Sequence, residues 1–343
     1  MCELKQIKVE DAIGTVLCQD ITKIIPGEFK GVAFKKGHVV TAADVPELLK
    51  LGKEHLYVWE VKDGFIHENE AGMRLAKAVA GKGIRFTEPK EGKVNLIVEN
   101  DGLCKINEDL LFEINMIESI VVATVNNHRP LKKGDILAGV RVVPLTIEEE
   151  KIRKIEEIAE GKNAIYVEPF KQFKVGIITT GSEVYHGRIQ DKFGPVVRTK
   201  AEEFNCPVIR QIIVDDDIEQ IVNAVHTLKA EGAEMIFTTG GMSVDPDDLT
   251  PSGIRRSGAE IVTYGAPILP GAMLMVAYLD DIPILGLPGC VMYHKTTVFD
   301  LVLPMVLTGQ RVTRSMIVKL GKGGLCLQCK ECRYPNCSFG TGA

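Results

Sequence analysis

The chain has 343 residues, room for two or three hydrophobic cores of ordinary size. Its 41 basic and 46 acidic residues leave a net charge of −5 with no basic block, which argues against nucleic acid as the main partner. The most apolar late run, VFDLVLPMVL, holds Asp300 and Pro304 and is far shorter than the roughly 20 residues a bilayer span needs, and MCELKQIKVEDA has no secretory apolar core. A soluble, cytoplasmic chain with no membrane partner is expected.

Residues 1–62 mix short apolar runs and turns (VEDAIGTVLCQDI, PGEF, FKKGHVV, HLYVWEV) with a helical AADVPELLKLG closed by Gly52, a small α+β unit. Residues 63–145 place a helical HENEAGMRLAKAVAG before strand-like KVNLIVEN and SIVVATVNN, a β-rich region. Within a linking segment 146–170, TIEEEKIRKIEEIAEG predicts a helix capped by Thr146, with Ile147, Ile152, Ile155 and Ile158 on one stripe. Residues 171–312 alternate apolar strands (FKVGIITT, PVIRQIIV, EMIFTT, IPILGLP) with helices over DKFGPVVRTKAEEF, IEQIVNAVHTLKAEG and about 291 to 308. That alternation predicts a three-layer α/β domain with a mostly parallel sheet covered on both faces. From residue 313 to 343, a strand-like SMIVKL leads into a Gly- and Cys-rich tail whose terminal GTGA suggests mobility.

In such sheets ligands bind beyond the carboxyl ends of the strands. Three ends carry unusual loops here: ITTGSEV, with Thr179, Thr180, Gly181, Ser182 and Glu183; FTTGGMSVDPDDLTP, with Thr238, Thr239, Gly240, Gly241, Ser243, Asp245, Asp247 and Asp248; and LGLPGCVMY, with Pro288, Gly289 and Cys290. Glycine admits close backbone approach, and helix N-termini with nearby hydroxyls suit a phosphate or a polar heterocycle. Glu183, Asp215 and Asp248 are candidates to hold Mg²⁺ between protein and phosphate. Each loop alone is also ordinary turn and cap chemistry. Tyr293 and His294 follow closely enough to reach the same crevice.

The ordered set TTGSE, VDDD, TTGGMSVDPDD, PILPGAM and LPGC resembles the molybdopterin-binding domain shared by molybdopterin molybdotransferase, the adenylyltransferase and gephyrin. The resemblance covers about 140 residues, and VEDAIGTVLCQDI with FKKGHVVTAADVPELLKLG looks more faintly like the start of the molybdotransferase. It implies a homodimer that binds molybdopterin or adenylated molybdopterin. It further implies Mg²⁺-assisted insertion of molybdate with release of AMP, catalysed through Glu183, Asp215 and Asp248, and delivery to a recipient molybdoenzyme. Thr180, Gly181, Ser182, Thr239, Gly240, Gly241, Ser243, Pro288, Gly289 and Cys290 would contact the pterin. The chain departs from the family where lysines usually stand (Leu269, Ala272), at Cys290-Val291 in place of Asn-Pro, in lacking an Asp-Gly-Tyr-Ala motif, and in its C-terminal segment. Those departures leave two alternatives open: a non-catalytic carrier or sensor working through the tail, and a nucleotide pyrophosphatase.

Five of the nine cysteines, Cys2, Cys18, Cys104, Cys206 and Cys290, are scattered and expected to be reduced thiols. Cys326, Cys329, Cys332 and Cys337 follow C-x2-C-x2-C-x4-C, a spacing suited to one Zn²⁺ or an iron–sulfur cluster. A metal-free, redox-sensitive tail is the other reading.

Overall fold

The structure, a computed structural model, describes residues 5–25, 29–58, 64–243 and 245–342. Cys2, most of the PGEF turn, the end of HLYVWEV with the junction at 62–63, and Ala343 lie outside the described residues. The chain divides into two compact units: residues 1–99, 106–125 and 133–166 form one, and residues 100–105, 126–132 and 167–343 the other.

In the first unit, Lys5–Lys8 pairs antiparallel with His55–Val58, and Val9, Leu17, Ile21, Val40, Leu48 and Leu56 close a small core. A four-stranded antiparallel sheet in the order Ile84–Phe86, Val94–Val98, Ile136–Val142, Ile120–Thr124 follows. The helix expected from Thr146 begins at Glu149 and has no side-chain cap. Thr146 instead lies in the strand Thr146–Glu148, paired with Phe65–His67, because strand pairing here satisfies the backbone that a cap would have served.

The second unit contains the α/β domain. Its elements are β1 (Val175–Thr180), α1 (Ser182–Tyr185), α2 (Phe193–Glu202), β2 (Val208–Val214), α3 (Ile218–Ala230), β3 (Met235–Thr239), α4 (Thr250–Arg256), β4 (Glu260–Tyr264), β5 (Met275–Leu279), β6 (Ile282–Leu287), α5 (Val298–Leu307) and α6 (Arg314–Lys319). The six strands run in the order β2-β1-β3-β6-β5-β4. The first four are parallel, while β5 and β4 are antiparallel additions at one edge. Side chains alternate across the sheet, so Ile177 packs with α2 and α5 while its neighbour Ile178 packs with α3 and α4. The Phe237 and Phe299 rings meet edge to face at 5.1 Å, fixing α5 against β3. The expected α/β fold with helices on both faces is the observed one.

Two expectations in this unit are corrected. The last helix does not start near 291: Gly289–Met292 is a single 3-10 turn and α5 starts at Val298. Thr297 is extended and forms a capping box with Asp300, which makes that position the helix start. The run SMIVKL is not a strand but lies in α6, where the Thr313 hydroxyl accepts from the Met316 N–H and Ile317 turns into the core. A short apolar run has no periodicity to separate helix from strand. Among the described residues, no helix is long and apolar enough to cross a membrane.

Candidate ligand-binding site

A cavity of about 510 Å³ opens beyond the carboxyl ends of β3 and β6. Its size suits a small organic ligand. It is lined by the turn Gly240–Ser243 with Asp248, by Pro270–Met273, and by Leu287–Cys290. Three separate loops thus converge, and seven expected contact or metal residues stand on its wall: Gly240, Gly241, Ser243, Asp248, Pro288, Gly289 and Cys290.

Backbone geometry makes the glycines obligatory. Gly240 has φ +87°, and a Cβ there would stand 2.1 Å from the Thr180 carbonyl oxygen. Gly241, at φ +54°, leaves a Cβ only 2.6 Å from the Thr250 hydroxyl. The β3 turn therefore lies flat against the end of β1, which only glycine permits. Asp248 then accepts from the Ser243 N–H at 2.8 Å, and the Tyr264 hydroxyl donates to the Met242 carbonyl at 2.9 Å, so the turn is held from both sides. Burial and the nearby Asp248 charge push the Tyr264 phenol up, keeping it a donor. Gly271, at φ +130°, packs against Val298, whose N–H donates to Pro270, so the second loop is built on the start of α5.

The remaining expected residues sit elsewhere. Thr180 and Thr239 are buried, and their hydroxyls bond inward: Thr180 to Thr250 at 2.9 Å and Thr239 to Thr179 at 3.2 Å. They tie strand ends together rather than face the cavity. Thr238 is likewise fully buried. Gly181, Ser182 and Glu183 form the neighbouring loop, which the acids after β2 hold in place. Ser182 donates its hydroxyl to Asp215 and its N–H to Asp216, and His186 reaches Asp215 at 3.2 Å. The Ser182 hydroxyl, ahead of the other contacts, holds the Asp215 carboxyl below the usual range.

Among the described residues, no three His, Cys, Asp or Glu side chains come together to hold a metal ion. Glu183 and Asp215 stand at the Ser182 loop, while Asp248 stands on the cavity wall. The oxygens of Asp215 already serve Ser182 and His186, and Asp248 belongs to a different loop. Cys290 lines the cavity half-buried, its thiol pushed up by burial and so protonated at neutral pH. Tyr293 and His294 do not reach the cavity; they line a second one beside the tail.

Sequence reasoning missed Met242, Met273 and Leu287 as wall residues and Asp216, His186 and Tyr264 as loop supports. The VDDD run pointed at Asp216. Nothing pointed at Tyr264, which stands at the end of β4, a strand the apolar pattern did not reveal.

Residues 176–308 match the family described as a probable molybdopterin binding domain, and residues 6–60 match one described as a domain of unknown function. The molybdopterin molybdenumtransferase of Haemophilus influenzae is 27% identical over 192 residues, 53% of this chain and 45% of that protein. A CinA-like protein of a Mycobacterium species, strain JLS, is 36% identical over 90 residues, 26% of this chain and 21% of its own length. The chain thus spans less than half the length of these relatives. The solved structure of a molybdopterin biosynthesis enzyme from Thermus thermophilus is 22% identical, covers 40% of this chain and 98% of its own, and gives a TM-score of 0.33.

Proposed function

Because residues 176–308 match the family described as a probable molybdopterin binding domain, we propose that the cavity beyond β3 and β6 binds molybdopterin or its adenylated form as a step of molybdenum cofactor assembly. The observation that carries this reading is the convergence of the Gly-Gly-x-Ser turn, the Pro-Gly loop and the Leu-Pro-Gly-Cys segment on one cavity. A pterin is flat and polar at its edge, and glycine turns bring backbone donors and acceptors close to such a ring without intervening side chains. Ser243 offers a hydroxyl. Cys290 offers a protonated thiol able to donate to a dithiolene or oxygen of the ligand.

Binding is favoured over turnover on the same geometry. Among the described residues, the cavity wall carries one charged side chain, Asp248, and no lysine or arginine to draw in molybdate. Similarity to both a molybdenumtransferase and a CinA-like protein fits a binding domain that is reused with different chemistry. A carrier that holds the pterin and passes it to a recipient enzyme is the reading that these residues support.

Gly289 gives the test. A Cβ there meets nothing within 4 Å, and the residue lines the cavity, so Gly289→Leu fills the ligand space without straining the fold. Titration with purified molybdopterin, followed by pterin fluorescence, should show saturable binding to the native chain and at least a tenfold weaker affinity for the variant, about 1.4 kcal/mol. Failure of the native chain to bind either form, or equal binding by Gly289→Leu, would sink the reading. Incubating the loaded chain with molybdate should release no AMP.

A further inference from the structure

The four tail cysteines find no use in the pterin cavity. They surround a separate cavity of about 290 Å³, whose wall includes Cys326, Cys329, Cys332 and Cys337 together with His294, Thr296 and Arg333. The tail is built into the domain. The Cys326 N–H donates to Leu269 at 2.8 Å, and the Leu269 N–H donates back to Gly324 at 2.8 Å, a parallel bridge between Leu269 and Leu325. Further on, the Tyr334 hydroxyl donates to the Asp300 carbonyl at 3.2 Å, Arg129 donates to Asn336 at 2.6 Å, and Phe339 is only 4% exposed. Gly340 lies so close to Leu301 that a Cβ would stand 2.5 Å from it, and the Gly340 N–H donates to Gly323. Gly340, within the terminal GTGA, is thus packed against α5.

We propose that this cavity is the seat of a [4Fe–4S] cluster bound by Cys326, Cys329, Cys332 and Cys337. Two observations choose the cluster over zinc. A tetrahedral zinc ion needs four sulfurs drawn in to about 2.3 Å from one point. Here the four cysteines line the wall of one cavity rather than closing on a single point. A cubane has four corner irons, each taking one thiolate, so its ligands stand apart around the inorganic core. The C-x2-C-x2-C opening is the spacing by which bacterial cluster proteins bind three adjacent corners, and Cys337 supplies the fourth.

The surroundings suit the charge. Four thiolates on a dicationic cluster carry two net negative charges, and Arg333 stands on the wall. Thr296 already lies 3.2 Å from the Cys332 sulfur, a hydroxyl contact of the kind that tunes cluster potential. Leu325, Leu327, Tyr334 and Phe339 supply the apolar part of the wall. The dicationic core holds two ferric and two ferrous irons, so loading from ferric iron takes two electrons, given as two thiols couple to one disulfide and release two protons, while each cysteine loses its proton to solvent as its sulfur takes an iron.

The test is anaerobic reconstitution of the full chain with ferric iron, sulfide and excess thiol, compared with loading by zinc alone. The expected product holds about four irons and four sulfides per chain, with broad visible absorption that bleaches on dithionite. Cys329→Ser, at an exposed cysteine, should lose most of the cluster iron, while Cys206→Ala, at a cysteine outside this cavity, should keep it. Alkylation mapping of the native chain covers the case of a misfolded variant. After loading, the four tail cysteines should be protected together, and the protection should vanish on oxidative cluster loss. Stoichiometric zinc that iron and sulfide cannot displace, absence of bound iron, or protection of fewer than three of the four would overturn the assignment.

Discussion

Gly240 shows how little of a loop's chemistry needs to be charged for the loop to be specific. Its positive φ and the contact with Thr180 leave no space for a methyl group, so Gly240→Ala should destabilise the second unit by about 2–4 kcal/mol, measured as a shift of its urea midpoint. His128 offers a test by pH. Burial, then the charges of Lys105 and Lys319, lower its imidazole to about 4. Between an unfolded value of about 6.5 and that lowered one, the unfolded chain holds a proton that the folded chain does not. Stability should be fullest above this window and fall as pH drops through it, by about 2 kcal/mol after allowance for partial exposure. His128→Asn tolerates the positive φ at this position and should flatten the profile. Gly240, Gly241, Ser243 and Asp248 were legible because their loop is one of three that stand at strand ends in a single order, where one loop alone would be ordinary turn chemistry. Thr180 and Thr239 were misplaced because residue type does not say which side of a buried strand end a hydroxyl faces.

At the scale of elements, the start of α5 organises both cavities. Its capping box closes on Thr297, and the segment before it carries Pro288 to Cys290 into one cavity and Tyr293 to Thr296 into the other. Thr297→Ala should cost about 1 kcal/mol in thermal or urea unfolding and loosen both walls together. Of the four parallel strands, β1, β3 and β6 were readable as buried, mainly apolar runs, and the edge strand β2 as apolar residues on either side of Arg210 and Gln211. The antiparallel pair β4 and β5 was not, because its strands are short and the Pro-Gly loop between them carried the motif that drew the reading. The tail helix α6 was misread for a similar reason: six residues give less than two turns of pattern.

For the whole molecule, the family match covers the α/β domain and leaves the N-terminal unit with a relative of unknown function and the tail outside the matched residues. One feature that joins the tail to the domain is the bridge between Leu269 and Leu325, one residue from the Pro270 that walls the first cavity and one from the Cys326 that walls the second. Two ligands that each order one side of a shared pair of hydrogen bonds are thermodynamically coupled, and the coupling is reciprocal. Filling the tail should therefore slow amide hydrogen exchange at Leu269 and Ala272, and filling the first cavity should slow it at Cys326. A chain of this design would report the state of one occupant through its grip on the other.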